Sequence, residues 1–349
     1  MLIEEKKLRR FVTDIFLAAR SSAEEANIVA GHLVEANLTG HDSHGVSLIP
    51  DYLDNLSAGN VNPNTAGKLV SAKGSMLVYD GQRGYGQVVA RNATNIAVDV
   101  AREQGVAVLA LRNSYHVGRI GAYGEQCAAK GMVSVHFVNA TGHQPRVAPF
   151  GGRDARLPTN PFCVAIPASD RHPSVVLDMA TSRIAQGKVR VARNSGLQVP
   201  PGCLLDSHGE PTTEPSVMFD SPPGALLPFG EHKGFALGLV CELLGGALAG
   251  GLTIQPGNER GRGVINHMLM IVFDPTRLND MSHTRREMDA LIDYVLASPP
   301  IATDEPVVTP GTPERTNKAI RLQDGVDLDA GTWDRLVAAA EKIGVAAPH

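Results

Sequence analysis

The sequence predicts an α/β fold built on a mixed or largely antiparallel sheet, and three observations carry that prediction. Compact apolar runs of strand length recur at residues 76–79, 106–111, 132–138, 162–166, 175–177 and 268–273. Only some of these runs are separated by a segment long enough for a crossover helix, which parallel neighbours require and antiparallel neighbours do not. The glycine spacing G-x-G-x-x-G, which seats a dinucleotide on a parallel Rossmann sheet, occurs nowhere in the chain, so the fold is read as non-Rossmann.

Composition bounds the rest. The 349 residues carry 32 Lys and Arg against 36 Asp and Glu, a net charge of −4, with 43% hydrophobic and 19% charged residues. That is a globular composition, which excludes disorder, and the length suits two domains of ordinary size. No block of basic residues offers a footprint for nucleic acid. Cys127, Cys163, Cys203 and Cys241 lie 36 or more residues apart, too far for a zinc knuckle or a C-x-x-C redox pair, and read as reduced thiols in a cytoplasm. The charged N-terminus is no signal peptide. Residues 235–252 form the most membrane-like stretch, but Glu242 and several glycines interrupt it, and a buried helix of a soluble protein is the expected outcome.

Along the chain, Leu8, Phe11, Val12, Ile15 and Phe16 recur at helical spacing, and Ser21 and Ser22 followed by Glu24 and Glu25 open a second helix as a capping box. That helix runs into the segment GHDSHG. Residues 60–73, rich in Asn, Pro and Gly, read as a loop. A helix is expected over 86–104, with Val89, Ala93, Ile96, Ala97 and Val100 on one face and Gly105 stopping it before a buried strand. Residues 186–227 read as a long loop with one hairpin near 206–209, long enough to be functional. A Pro-rich passage at 298–311 leads to a last helix with Trp333, Leu336, Val337, Ala340 and Ile343 on one face and Thr332 as its N-cap. This terminus is expected to pack back on the N-terminal helices.

Four polar clusters are candidates for chemistry. His41, Asp42, Ser43 and His44 stand at a helix end. Two histidines three residues apart with an acid between them can meet a metal, but no third ligand declares itself. They can equally cap and turn the chain, and a hydroxyl beside an imidazole can orient it for acid/base work. Residues 113–121, NSYHVGRIG, place glycines where a strand opens a helix, a setting in which amides bind anions. Thr159, Asn160 and Pro161 precede one strand, and residues 178–182 follow another. Residues 231–234 open a helix whose glycines Gly238, Gly246 and Gly250 bare its backbone.

Taken in order, the motifs DSHGVSLIPDY (42–52), NSYHVGRIG (113–121), VAPFGG (147–152), TNPFCVAIP (159–167), LDMATSRIAQGK (177–188), PPGCLLD (200–206) and EHKGFALGLVCELLGGALAGG (231–251) resemble the malate/L-lactate dehydrogenase family of the second type essentially end to end. These are non-Rossmann NAD(P)-dependent oxidoreductases. The resemblance implies a helical domain built from both chain ends (1–75 and 305–349), an NAD(P)-binding α/β domain (76–304) and a homodimer. It casts His44 as proton donor or acceptor with Ser43 as its hydroxyl partner, and His116 as a second acid/base candidate. For NAD or NADP it points to His44, Gly118, Arg119, Ile120, Thr159, Asp178, Met179, Ala180, Thr181, Ser182, Lys188, His232, Lys233, Pro310, Gly311 and Glu314. It implies no metal.

Two departures matter. Many family members carry an arginine for the substrate carboxylate where this chain has Leu48, and the loss of a bidentate guanidinium leaves the anion to another partner, for which Arg119 and Arg146 are candidates. Ala140 stands where some relatives use a catalytic lysine. The implied reaction is hydride transfer between NAD(P)H and a 2-oxo acid, with Leu48 compatible with bulky or aromatic ones such as phenylpyruvate. Beside a second copy of the chain, the small 2-oxo or 2-hydroxy acid would be the partner, with no nucleic acid and no membrane. The rival readings are a metal-dependent lyase or hydrolase built on His41, Asp42 and His44, and a non-catalytic scaffold in which the clusters only cap helices.

Overall fold

The structure is a computed structural model that describes residues 1–261, 263–302 and 305–348. Asp304, at the edge of the division drawn from the sequence, and the terminal His349 lie outside the described residues.

The two chain ends build one helical layer. Helix α1 (Glu5–Ala18) buries Leu8, Phe11, Val12, Ile15 and Phe16 on a single stripe, each fully buried side chain worth about 1.5–3 kcal/mol before ordering entropy. Helix α2 (Ala23–Leu38) starts where Ser22 accepts from the Glu25 amide at 3.2 Å, while the Ser21 hydroxyl donates to the Glu25 carboxylate at 2.7 Å. Helix α3 (Ile49–Ser57) completes the N-terminal set. From the far end come α9 (Thr312–Asp324) and α10 (Ala330–Glu341). Leu336 and Ala340 join the core of α1 and α2, and Trp333 rests on Phe11 with ring centroids 5.8 Å apart. Two short strands, β1 (Leu2–Ile3) and β12 (Val326–Asp327), pair antiparallel and tie the termini.

The central layer is a seven-stranded mixed sheet of β2 (Lys68–Lys73), β3 (Met76–Asp80), β4 (Val106–Tyr115), β5 (Val133–Thr141), β6 (Pro161–Ile166), β7 (Val175–Ala180) and β11 (Ile265–Phe273), in the order β2-β3-β4-β11-β5-β6-β7. Only β3 and β4 run parallel among the described residues, joined by α4 (Gly86–Gln104) as crossover. Val89, Ala93 and Ala97 of α4, with Tyr123 and Cys127 of α5 (Gly121–Ala128), share a core with Leu109, Leu111, Met268 and Met270 of the sheet. On another side, α7 (His232–Cys241) continues as a π-helical stretch, Glu242–Leu248. Its Gly245 and Gly246 lie so close to β5 that an added Cβ would sit 2.6 Å from the Phe137 carbonyl and 2.4 Å from the Asn139 amide.

Beside the sheet, α6 (Gln186–Asn194) and a small sheet of β8 (Leu204–Leu205), β9 (Pro211–Thr212) and β10 (Ala225–Leu226) enclose their own core of Val147, Val189, Leu204 and Leu226. Helix α8 (Met281–Leu296) follows β11.

Several expectations change. Residues 68–73 are an edge strand instead of a loop, exposed on both faces and therefore without an apolar pattern. The stretch 186–227 contains α6, which buries only Val189 and so lacks a helical stripe; its hairpin does turn at residues 206–209, between β8 and β9. The helix after residue 232 is not buried throughout, since Leu239, Val240, Leu243 and Leu248 are exposed. The last helix is capped by Asp329, whose side chain accepts from the Thr332 amide, because Thr332 already lies inside the first turn.

Six buried or half-buried histidines have pKa values pushed below the ordinary 6.5, chiefly by desolvation: His32 and His116 to about 3, and His44, His136, His143 and His267 to about 4. Below pH 6.5 the unfolded chain takes up protons that the folded one refuses, so their contribution to stability is full above that pH and is lost on the way to about 4. The urea midpoint is expected to fall steadily between pH 7 and pH 4.5; a constant midpoint over that window would contradict the burial of neutral imidazoles.

Candidate active site

The site begins at the end of α2. Gly40 leaves the helix at φ +85°, and residues 42–44 make a single 3-10 turn. Asn37, 1% exposed, holds that turn from beneath: its Oδ1 accepts from the Val46 amide at 2.8 Å and its Nδ2 donates to Asp42 at 2.6 Å. Arg321 of α9 donates two hydrogen bonds to the Asp42 carboxylate, at 2.7 and 3.1 Å, and a third to the Asn37 carbonyl. His41 Nε2 meets Glu314 of α9 at 3.1 Å. Gly45 has no room for a side chain, because a Cβ there would stand 2.1 Å from Asn37 Oδ1.

This clamp presents His44. Its Nδ1 lies 3.1 Å from Ser43 Oγ, and its ring stacks on that of His116, which follows β4, at 5.8 Å between centroids and 18° between planes. His116 Nδ1 lies 2.7 Å from the Tyr52 hydroxyl, which in turn accepts from Gln87 Nε2 at 2.8 Å. The phenol oxygen has two lone pairs and can accept from His116 Nδ1 as well as from Gln87, the tautomer that leaves His116 Nε2 free to take a proton. Burial keeps the Tyr52 phenol protonated, with its pKa well above 10. Burial also lowers both imidazoles; Asp178 partly restores His44 while His41 and Arg119 lower it further, and His44, His32 and His143 lower His116 further. Both rings are therefore neutral at pH 7, poised as bases.

A second set of groups lies on the Asp178 side of His44. Asp178 Oδ2 accepts from the Gly121 amide at 2.7 Å. Arg119, 2% exposed, is bonded to Glu125 through one amino group, while its other, Nη1, has no partner. The Arg119 amide donates to His32 Nε2 at 3.0 Å, and Gly118 passes at φ +74° where a Cβ would meet that nitrogen at 2.4 Å. Ile120 is buried in the sheet core. The Val176 amide donates to the Pro310 carbonyl at 3.2 Å, which seats Gly311 (φ +91°) and Glu314 beside β7. Met179 and Ala180 are half-buried on that strand, and Thr181 and Ser182 are buried just past it. Thr181 donates from its amide to the Thr159 carbonyl at 3.2 Å and accepts from Phe229, which links it to the start of α7. There His232 and Lys233 are exposed, as is Lys188 on α6. The first turn of α6 abuts the turn that carries His44, for a Cβ on Gly187 would sit 2.5 Å from Ser43 Cβ.

Arg146 is half-buried and bonds no carboxylate among the described residues. Leu48 is half-buried against the helical core. His41, Asp42 and His44 are engaged by three different partners, Glu314, Arg321 and Ser43, and no cluster of three metal-ligating side chains forms among the described residues.

Sequence reasoning missed Asn37, Tyr52, Gln87, His32, Glu125 and His143. Tyr52 carried one signal: it ends the motif that begins at Asp42, one helical turn past Leu48. Gln87 and Glu125 carry none, because each is an ordinary polar residue of a helix until its partner is seen.

A model of the family described as malate/L-lactate dehydrogenase matches residues 3–337. The chain is 44% identical over 344 residues to hydroxycarboxylate dehydrogenase B of Escherichia coli, spanning 98% of this chain and 94% of that one. It is 40% identical to an L-lactate dehydrogenase of Cupriavidus necator, over 100% and 99% of the two chains. A solved E. coli structure described as a malate/lactate dehydrogenase superposes with a TM-score of 0.95 at 44% identity, over 99% and 96% of the two chains.

Asn37→Ala leaves the buried Val46 amide without its partner and Asp42 with Arg321 alone, and a loss of about 1–3 kcal/mol is expected in urea denaturation at pH 7. A loss below about 0.5 kcal/mol would show that Asn37 does not hold the loop.

Proposed function

Since the chain belongs to the malate/L-lactate dehydrogenase family and is thereby a 2-hydroxyacid dehydrogenase, we propose that it transfers a hydride between NADH or NADPH and a 2-oxo acid, bulky or aromatic acids such as phenylpyruvate included. The observation that supports this most is the pair of stacked, half-buried, neutral imidazoles, each held at Nδ1 by a hydroxyl. Such a pair offers Nε2 atoms for proton exchange with an alkoxide or hydroxyl while its own orientation stays fixed.

The residues present fit a dinucleotide. A nicotinamide bound here supplies or accepts the hydride at its C4. The partnerless Nη1 of buried Arg119 and the glycine turn at residues 118–121 would hold the pyrophosphate, since that guanidinium nitrogen lacks an acceptor and the turn leaves no room for a Cβ at Gly118 or Gly121. Asp178, Met179, Ala180, Thr181 and Ser182 would line the cofactor from β7, with Thr159 behind them and Pro310, Gly311 and Glu314 across. Lys188, His232 and Lys233 would form an exposed rim. This is a different arrangement from a Rossmann site, consistent with a sheet in which a single pairing is parallel.

In the oxidising direction, a neutral imidazole takes the proton of the 2-hydroxyl. In the reducing direction, the carboxylate of the bound acid raises the proton affinity of the nearby rings, so that an imidazolium is available to protonate the developing alkoxide. Both His44 and His116 remain in this role, with Ser43 and Tyr52 positioning them. Arg119, tied to Glu125, serves the cofactor better than the substrate.

Residues 1–75 with 305–349 are proposed as the helical domain and 76–304 as the NAD(P)-binding domain. A homodimer is proposed, supported by the uncharged exposed stripe Leu239, Val240, Leu243 and Leu248, because two copies presenting the same apolar stripe complement each other about a two-fold axis. The four buried free cysteines suit a cytoplasmic setting, and no helix among the described residues is long and apolar enough to cross a membrane.

Chelator-treated protein is expected to bleach the reduced-nicotinamide absorbance with a panel from pyruvate to phenylpyruvate. Silence across the panel, without cofactor binding, would overturn the reading, and loss of activity only on chelation would favour a metal enzyme. His44→Ala and His116→Ala are each expected to lower kcat by about 10²–10⁴. A variant with near-normal kcat would exonerate that histidine. In the oxidising direction, kcat/KM should hold level to about pH 5 and fall as the pH nears the His44 value of about 4; a fall centred on pH 6.5 would show an unburied base.

A further inference from the structure

A 2-oxo acid carries its carboxylate on the carbon next to the one that reacts, and a guanidinium within reach of the two imidazoles would hold it most strongly. Leu48 supplies none, and Arg119 is buried, bonded to Glu125 and on the cofactor side. Two other guanidiniums remain. Arg146 follows His143 by three residues, and its backbone is pinned on both sides: its amide donates to the Leu157 carbonyl at 2.9 Å and its carbonyl accepts from the Leu226 amide at 2.8 Å. Arg190 lies on α6, whose Gly187 faces Ser43 at the contact described above. Residues three apart on a helix share a face, so Arg190 is directed along the same side as Gly187.

Both side chains are half-buried, and neither bonds a carboxylate among the described residues. Their chain neighbours Val147 and Val189 pack in one core, which brings the two arginines near each other; burial lowers the Arg146 pKa, and the Arg190 charge lowers it further. The Arg146 charge reaches His143, and that of His143 reaches His116. The third cation nearby, Arg260, is occupied by Gln144 at 2.6 Å and by the Ile254 carbonyl at 3.0 Å. Two half-buried like charges without an acid between them repel each other, and an anion placed between them relieves that repulsion with charge-assisted hydrogen bonds.

We propose that Arg190 and Arg146 together form the cradle for the substrate carboxylate, in place of a cation at position 48. The proposal rests on the dehydrogenase reading and adds Arg190 as a specificity-determining residue. A planar fork from each side would fix the carboxylate and leave the acid's side chain free to lie elsewhere, which suits a broad range of 2-oxo acids.

The test uses the enzyme with its nicotinamide cofactor and two substrates of the same shape, phenylpyruvate and its methyl ester. In Arg190→Gln and in Arg146→Gln, KM for the acid is expected to rise about 10- to 100-fold, with KM for the neutral ester and the Kd of the reduced cofactor unchanged. Arg190→Lys, which keeps the charge and loses the fork, should fall between. Parallel changes for acid and ester, no change for either, or a weakened cofactor with acid binding intact would each overturn the cradle. If the unmodified enzyme turns over no 2-oxo acid at all, the dehydrogenase reading itself fails, which separates the two outcomes.

Discussion

The three-way clamp of Asn37, Asp42 and Arg321 is the constraint on which the site depends. It is local in geometry but global in sequence, because Asn37 and Asp42 come from the N-terminal segment and Arg321 from α9. A short turn carrying a serine and two histidines has no preference for one conformation when left to itself. It acquires one because the buried Asn37 satisfies the buried Val46 amide, where an unsatisfied donor is costly, and also donates to the more exposed Asp42 carboxylate. Arg321 then neutralises Asp42 bidentately. The helices at the two chain ends are thus needed for more than their shared apolar core: they hold His44 opposite His116.

The central sheet performs the matching task for His116. Strand β11, formed late in the chain, inserts between β4 and β5, and its Asn266 accepts from the Val117 amide at 3.0 Å while donating to the Asn139 carbonyl at 2.8 Å. The turn after β4 is therefore fixed from the middle of the sheet. Tyr52 approaches from α3, so the His116 ring is held between the helical layer and the sheet layer. Mutual placement of the two imidazoles is a property of how those layers meet, and any change that shifts one against the other alters the stacking before it alters either layer.

Much of the fold was legible because its signals are periodic. Helix α1 and helix α4 declare an apolar stripe, and strands β4 and β11 declare compact apolar runs. Strand β2 and helix α6 were not legible, since one is exposed on both faces and the other buries a single side chain. The same difference divides the site. Ser43, His44, Asp178 and the glycine turn stand in dense polar motifs that announce themselves. Asn37 and Gln87 are single polar residues on helices, chemically identical to solvated ones, and their partners are visible only in the tertiary structure; the same holds for Arg190 in its proposed role.

The neutrality of the imidazoles and the lack of a fixed cation at position 48 belong to one electrostatic argument. Burial and nearby positive groups lower the proton affinity of His44 and His116 in the free protein. On the proposed reading, an arriving carboxylate settles between Arg146 and Arg190 and cancels part of that positive field, and the nearby rings then bind a proton more readily. The proton needed to complete reduction is therefore taken up together with the acid. In the opposite direction, the departing 2-oxo acid removes its charge, the rings lose their proton to solvent, and the base is restored. One carboxylate thus serves as both handle and switch, and the pocket needs no permanently charged acid or base to run in either direction.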